Sequence, residues 1–384
     1  MRFMNRKPSA DGSWDEVLPC VVLDTVARHP PSVNRFGPTV STGHRHLVRS
    51  GVVRARVLTT ATALAATALL GTAVLAGCGG SSNGTDEPNQ VVRTTTAIAG
   101  AGIVGIDRDT STACPSPTAP ETADPQRIVA LSTQALDTAC ALGLWERVVG
   151  AAVDDGATGR PGYLGSGIAT IPGVGSPDAP DAAKIGELRP DLILGGNEPA
   201  GGGAADPLQA IAPTIFVRAG DDWEQQVRTL GGALGRPNAT AAALDDYRQA
   251  ARTAGGDLFA GQTQASVVRF TDSGGTVAGT DGFAGRVLAD VGVQRPPAQR
   301  GASFPLDTDD PAAAEGDVVY VSFAGPAGEE HGADVMQSDG WKKLSAAHDK
   351  RVWSVADEIW HGSGIVAARA LVTDLRDSLN YYGS

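Results

Sequence analysis

The sequence predicts an α/β protein in which two halves are joined by one long helix. Short apolar runs such as 127–131 (RIVAL) and 317–323 (DVVYVSF) indicate buried strands, and a helical pattern follows each run. Strand–helix–strand order with short connections requires parallel crossovers. The longest helical pattern, 239–259, interrupts this order, which then restarts and so indicates a second α/β half.

The first half contains four predicted strands with helices between them. The strands are 127–131, 148–152, 191–194 and 214–217, and the helices are 134–142, 182–188, 207–211 and 223–234. Asn238 follows Pro237 and is predicted to be the N-cap of the long helix. In the second half, the predicted strands are 266–270, 317–323 and 351–355, and the predicted helices are 283–291, 334–347 with a break at Gly340, and 365–381.

An export signal precedes this region. Arg54 and Arg56 come before an apolar run, 57–76, which ends in Leu-Ala-Gly-Cys at Cys78. This ending resembles the lipobox of bacterial lipoproteins, in which the cysteine receives a diacylglycerol and becomes the first residue. The alternative is an uncleaved membrane-spanning helix, because the run is long enough to span a bilayer. Residues 1–51 are unusual before a signal, and Val52 or Val53 is a plausible translation start.

Charge and composition limit the class of partner. The 384 residues carry 31 Lys and Arg against 43 Asp and Glu, a net charge of −12. From Cys78 onward the counts become 22 and 39, a net charge of −17. Such a surface argues against binding to nucleic acids or anionic lipid headgroups. The lipid on Cys78 is therefore expected to hold a monomer at the outer face of the membrane.

Two cysteines, Cys114 and Cys140, remain after the lipid site. Because the export signal places the chain in an oxidising compartment, an even number of cysteines predicts a disulfide between them. This bond would fasten the extended segment 91–125 to the first helix. The alternative is two free thiols, with Cys140 as a small buried apolar residue. Residues 79–90, rich in Gly, Ser and Asn, are predicted to form a tether.

Common catalytic signatures are absent from the sequence. Residues 100–105 (GAGIVG) match G-x-G-x-x-G, but the residues that follow do not fit the helix that a dinucleotide site requires. There is no Gly-Lys dipeptide for a phosphate-binding loop and no H-E-x-x-H. These absences favour a binding protein over an enzyme, with the ligand in the cleft between the halves.

Ordered segments resemble class III substrate-binding proteins. The N-terminal resemblance is carried by RIVALSTQALDTACALGLWERVVGAA, AAKIGELRPDLILGGNE and IAPTIFVRAGDDWEQQVRTLGGALG, and the C-terminal one by GFAGRVLADVGVQRP, DVVYVSF and RVWSVADEIWHGSGIVAARALVTDL. Together with AGAGIVGIDRD and the two cysteines, these segments are most similar to FecB-type iron-siderophore lipoproteins, over about residues 91–380.

The resemblance implies two doubly wound, Rossmann-like lobes bridged by a single long helix. The predicted organisation is an upstream extension and signal (1–77), a tether with an extended segment (78–124), an N-terminal lobe (125–236), a bridging helix (237–261) and a C-terminal lobe (262–384). It also implies an exported receptor that carries an iron chelate to an ABC transporter permease. No enzymatic cofactor or directly bound metal is expected, and the ligand is a ferric siderophore or haem.

Candidate ligand-binding residues lie in loops after predicted strands. They are Ser132, Thr133, Gln134, Tyr163, Asn197, Phe283, Arg300, Trp360 and His361. Helix capping for the first residues, loop anchoring for Tyr163 and core packing for the aromatic residues are the structural alternatives. The family also uses one acid per lobe to dock onto the permease. Glu198 matches the first position, whereas Arg286 occupies the expected second position and leaves Asp290 as the candidate.

Three functions follow from these features. A receptor for a ferric siderophore is the leading hypothesis. Haem binding, with Tyr163 or His361 as the axial ligand, is the nearest alternative. The third is a degenerate member of the family that acts as an interaction protein of the cell envelope.

Overall fold

The computed structural model describes residues 97–153, 159–197 and 205–380. The β-strands there are β1 Ala97–Ile98, β2 Ala101–Ile103, β3 Ile128–Ala130, β4 Val148–Ala151, β5 Leu192–Asn197, β6 Thr214–Val217, β7 Ala265–Thr271, β8 Gly274–Val277, β9 Phe304–Leu306, β10 Val318–Phe323 and β11 Val352–Ser354. The signal, Cys78 and Glu198 lie outside the described residues.

Helices follow most of these strands. They are α1 Thr133–Ala141, α2 Ser166–Ala169, α3 Ala182–Glu187, α4 Ala205–Gln209, α5 Trp223–Ala233, α6 Pro237–Asp257, α7 Phe283–Val291, α8 Gly325–Gln337, α9 Ser345–His348, α10 Asp357–Trp360 and α11 Ile365–Leu379. Within the described residues, no helix is both long and apolar enough to cross a membrane.

The N-lobe is built on the sheet β4-β3-β5-β6, in which every pair of neighbouring strands is parallel. Side chains of β3 alternate between its faces: Ile128 joins one apolar cluster, and Val129 joins another with Ile185 of α3. Both faces are therefore buried under helices, as parallel sheets require. The chain order changes direction between β3 and β5, so their carboxyl ends form a crevice at the edge of the sheet.

The C-lobe is built on a seven-stranded sheet with the order β1-β2-β11-β10-β7-β8-β9. Strands β2, β11, β10 and β7 are parallel, whereas β8 and β9 add an antiparallel extension and β1 pairs antiparallel with β2. The glycine-rich residues 100–105 supply a turn at Gly100 and then strand β2, not the helix of a dinucleotide site. The α/β class with two lobes joined through α6 confirms the predicted fold.

Helix α8 differs most from its prediction. The apolar pattern predicts a helix from 334, but α8 begins at Gly325 and ends at Gln337. Its first turns contain Gly328 and Gly332, where a Cβ atom would lie 2.7 Å from the carbonyl oxygen of Phe270 and 2.5 Å from the Phe323 ring. These glycines allow the helix to approach the sheet closely, a tertiary contact that helical periodicity does not report.

A strap, residues 105–125, connects β2 of the C-lobe to β3 of the N-lobe. Near its start, Arg108 forms an ion pair with Asp374 of α11. Further along, Cys114 forms a disulfide with Cys140 of α1, with their Cα atoms 4.6 Å apart. The disulfide predicted for these cysteines is present in the structure, and it fastens the strap to the N-lobe.

The strap also determines how α6 begins. The helix starts at Pro237, and the backbone N–H groups of Asn238 and Ala239 donate to the carboxylate of Glu121 at 3.0 to 3.1 Å. The prediction that Asn238 is the N-cap is therefore wrong. Asn238 lies within the first turn, and an acid distant in sequence satisfies the free N–H groups of the helix.

Candidate functional site

A cavity of about 370 Å³ lies at the carboxyl ends of the N-lobe strands. Its apolar wall includes Leu131, Leu208 and Phe216. Its polar lining consists of Ser132, Gln134, Asp178, Asn197, Gln226 and Ser363. Ser363 comes from the C-lobe, immediately before α11, so the cavity reaches both lobes. The crevice between β3 and β5 is where open parallel sheets bind ligands.

The loop after β3 supplies one side of this cavity. The Oγ atom of Ser132 accepts a hydrogen bond from the backbone N–H of Ala135 at 3.1 Å, so Ser132 caps α1 while it also lines the cavity. The Gln134 side chain is buried and donates to Ser363 Oγ at 2.6 Å. Thr133 is the first residue of α1 and is absent from the lining. Two of these three predicted residues therefore meet at the cavity, and Gln134 also links the two lobes.

The opposite rim is formed by residues at the end of β5, in the loop after β4, and in α5, which follows β6. Asn197 ends β5 with an exposed side chain, as expected for a residue that contacts a ligand. Asp178 is also exposed, and Gln226 on α5 donates to the backbone oxygen of Arg218 at 3.0 Å. Sequence reasoning missed Asp178, Gln226 and Ser363. A search for polar residues in the loops and first helical turns after every strand would have included them.

On the C-lobe, a polar group lies at the carboxyl ends of β7, β10 and β11. The guanidinium of Arg269 donates twice to the Asp357 carboxylate, each time at 2.8 Å, and Ser322 donates to it at 2.8 Å. Burial by itself raises the pKa of Asp357, but Arg269 and Ser322 together lower it. His361 is exposed nearby. Partial dehydration by the surrounding protein and then the positive charge of Arg269 lower its pKa, so the imidazole is neutral at pH 7.

A buried acid joins the lobes below the cavity. Asp137 of α1 has no solvent exposure, and its carboxylate accepts from the backbone N–H groups of Val366 and Ala367 at 3.0 and 2.9 Å. These groups begin α11, so the acid of one lobe caps a helix of the other. Burial raises the pKa of Asp137 to about 7, against the opposing effect of these hydrogen bonds.

Gly364 makes this approach possible. A Cβ atom at Gly364 would lie 2.2 Å from Cγ of Asp137, and its φ of 128° is a conformation that other residues rarely adopt. Tyr163 completes the contact, since its hydroxyl donates to Asp137 at 3.2 Å. Because Tyr163 is 3% exposed, the prediction of an exposed phenol that stacks on or ligates a chelate is wrong. Its role is to anchor a loop.

Three more predicted contact residues lie away from the cavity lining. Trp360 is buried, stacks on Tyr320 with ring centroids 4.4 Å apart, and donates to Asp374 at 2.9 Å. Phe283 begins α7 and packs against the Trp223 ring. Trp360 is part of the apolar core, and Phe283 packs against that core while partly buried, so neither ring lines the cavity. Arg300 is exposed, but its Nε donates to the backbone oxygen of Arg295 at 3.0 Å, so it stabilises its own loop.

The predicted docking acid of the C-lobe is also engaged internally. Asp290 is half-buried on α7 and accepts a hydrogen bond from Tyr247 of α6 at 2.7 Å. Burial raises its pKa. Asp290 therefore contacts the bridging helix while it stays partly exposed, and its role as a docking acid remains a prediction. Among the described residues, no three His, Cys, Asp or Glu side chains come together as a metal-binding group.

Comparison with known proteins identifies the family to which this site belongs. The model of a family described as periplasmic binding protein matches residues 128–358, which run from β3 to α10 and include most of the cavity. The chain belongs to the periplasmic binding protein family. Its cavity therefore occupies a scaffold that is built to hold a solute.

Individual members of the periplasmic binding protein family extend this comparison. The probable siderophore-binding lipoprotein YfiY of Bacillus subtilis (strain 168) is 31% identical over 115 residues, which are 30% of this chain and 34% of YfiY. The alignment thus spans about a third of the length of that relative.

Solved structures of the family share the fold. SirA of Staphylococcus aureus, complexed with staphyloferrin B, has a TM-score of 0.58 at 24% identity and covers 67% of this chain and 94% of its own. The periplasmic haem-binding protein BhuT, in complex with two haems, has a TM-score of 0.51 at 25% identity and covers 67% of this chain and 100% of its own. Both SirA and BhuT are therefore similar in fold to this chain.

Proposed function

We propose that this periplasmic binding protein is an exported, lipid-anchored receptor that binds a ferric siderophore and delivers it to an ABC importer. The observation that carries the proposal is the cavity at the carboxyl ends of β3 and β5, with neutral hydrogen-bonding side chains on an apolar wall. Such a lining suits a compact chelate that presents amide and hydroxamate groups. The names of YfiY and SirA support iron chelates as the ligand class.

The proposed role is capture without chemical conversion. The Gln134–Ser363 hydrogen bond and the Asp137 cap hold the lobes together around the site, so the cavity is largely formed before the ligand arrives. A preformed site loses little conformational entropy when it binds. The iron remains cargo held by its own chelator, and the protein supplies shape and hydrogen bonds.

Anchoring and docking complete the proposal. We assign Cys78 as the lipid-bearing first residue, with a tether and extended segment over 78–124, a lobe over 125–236, the bridge over 237–261 and a second lobe over 262–384. Glu198 is the proposed acid for docking onto the permease. Its replacement by Gln should reduce chelate uptake by cells while the purified protein keeps the same dissociation constant. A weaker dissociation constant would instead place Glu198 in ligand binding.

The binding proposal is tested by titrating the purified full chain with a ferric trihydroxamate and measuring heat by calorimetry. We expect saturable one-to-one binding that requires Fe(III). Asn197→Ala should weaken it about tenfold, the scale of one or two lost hydrogen bonds. Asn380→Ala is the matched control, because that exposed asparagine lies beyond the opposite end of α11.

Two outcomes would overturn the ferric siderophore proposal. The first is the absence of saturable binding with hydroxamate, catecholate and carboxylate chelates of iron. The second is selective haem binding, with a Soret band that shifts in His361→Ala. Tyr163 is not a candidate axial ligand, since its hydroxyl is buried against Asp137.

A further inference from the structure

The charge of the cavity lining is the feature that narrows the ligand class. Among the described residues that line it, five polar side chains are neutral: Ser132, Gln134, Asn197, Gln226 and Ser363. The one charged residue in that lining is an acid, Asp178. An anionic ligand would therefore meet hydrogen-bond donors but no lining cation.

Two nearby arginines are already committed to protein partners. The guanidinium of Arg160 donates to the backbone oxygens of Ala151, Ala152, Ile171 and Pro172 at 2.7 to 3.0 Å. Arg269 holds the Asp357 carboxylate through two bonds, so their charges offset each other. A guanidinium that is already hydrogen-bonded to protein groups gains less from a new anion, because the ligand must compete with those bonds.

Arg218 is a third arginine close to the described lining. It directly follows Val217, which lines the cavity, and its side chain is exposed to solvent. The acids Asp221 and Asp222 follow it within one turn, and Asp222 caps α5 through its contact with Gln225. A guanidinium exposed to solvent is screened by water and salt, so it adds little positive potential to the cavity.

We infer that the cavity selects ferric chelates of zero or positive net charge, of the trihydroxamate type, over anionic catecholate or carboxylate chelates. This inference rests on the proposed function and deepens it. Three hydroxamate groups, each with one negative charge, balance Fe(III) and leave an uncharged centre. Three catecholate groups leave a charge of −3, which a lining without a cation would have to dehydrate without compensation. The acidic surface of the chain acts in the same direction through long-range repulsion.

A ligand series with one iron centre and a varying tail tests the inference. Ferrioxamine B carries a protonated amine and a net charge of +1, its N-acetyl derivative is neutral, and its N-succinyl derivative carries −1. For one carboxylate within about 8 Å, at an effective dielectric constant of about 60, each unit of ligand charge changes the dissociation constant about threefold. We expect binding to the full chain to weaken in the order +1, 0, −1, and the differences to shrink in high salt.

A charge reversal at the rim supplies the second arm. Asp178→Lys should reverse the order, so that the N-succinyl derivative binds more tightly than ferrioxamine B. Asp334→Lys is the matched control, because it changes the net charge equally on the exposed side of α8. That control should keep the wild-type order.

The outcomes separate this inference from the proposed function. Equal affinities for the three derivatives, or tightest binding of the anionic one, would overturn the charge inference and leave the receptor proposal standing. Tight binding of a ferric tris-catecholate by the wild-type chain would do the same. Failure of every ferric chelate to bind would overturn both.

Discussion

Replacement of Asp137 by asparagine should remove a large part of the pH dependence of stability. The Asp137 carboxylate is fully buried between the lobes, where it accepts hydrogen bonds from Val366 and Ala367 and from the Tyr163 hydroxyl. An asparagine keeps the size but places an amide N–H₂ against one of two backbone donors. We therefore expect a constant loss of about 1 to 3 kcal/mol from the unmatched hydrogen bond.

The dependence of stability on pH comes from the titration of Asp137 and not from its hydrogen bonds. Burial raises the pKa of Asp137 from 3.8 to about 7, so the folded protein keeps a proton that the unfolded chain has already released. The stability from this group is complete below about pH 4 and is lost as pH rises through about 7. Between pH 5 and pH 8 the loss amounts to about 2.5 kcal/mol. Asparagine does not titrate, so the variant lacks this slope.

The assay is urea denaturation of the wild type and the variant at several pH values from 5 to 8. Groups such as Asp374 and Glu358, whose pKa values are also raised by burial, contribute to both proteins and cancel in the difference. Asp377→Asn, an exposed acid on α11, is the control and should keep the wild-type slope. If Asp137→Asn retains the wild-type slope, the buried carboxylate does not titrate as described and the reasoning fails.

Further predictions concern the strap and the core. Replacing Cys114 and Cys140 with serine should lower the free energy of unfolding by about 3.5 kcal/mol, because the disulfide closes a loop across 26 positions; unchanged urea stability without reductant would argue against it. Arg236 is fully buried, and Arg236→Met removes its hydrogen bonds to backbone carbonyls and to a carboxylate. We expect the free energy of unfolding to fall by about 3 kcal/mol in the same assay. A decrease no larger than that of a typical surface substitution would contradict this prediction. Trp360→Phe should lower the free energy of unfolding by about 1 kcal/mol, because the hydrogen bond to Asp374 is lost, and it should leave chelate affinity unchanged. A weakened affinity would show that Trp360 contributes to ligand binding.

Strands and helices that depend on local patterns were predictable from the sequence. The runs TIFV at 214–217 and FAGRVLADV at 283–291 form β6 and α7 with the predicted bounds. Strand β2 is different, because it pairs locally with β1 but joins the C-lobe sheet only by pairing with β11, about 250 positions away. Such pairing is a long-range property, and a glycine-rich segment carries no local signal for it.

The site was predictable in position but not in every side chain. Ser132, Gln134 and Asn197 lie at the cavity because they follow strands whose carboxyl ends meet at one edge. Tyr163 and Trp360 also follow strands, yet both are buried. Each donates a hydrogen bond to an acid on another helix, Tyr163 to Asp137 of α1 and Trp360 to Asp374 of α11. Loop position therefore identifies the edge of the sheet, whereas tertiary packing decides which side chains face the ligand.

The proposed receptor function requires that the cavity between β3 and β5 holds a ferric chelate. The most direct measurement is a crystal structure of the chain with a ferric trihydroxamate, in which anomalous scattering locates the iron. We expect one iron position in the cavity, with the chelate in contact with Ser132, Asn197 and Ser363. An iron position elsewhere on the protein, or a cavity that stays empty at saturating chelate, would contradict it.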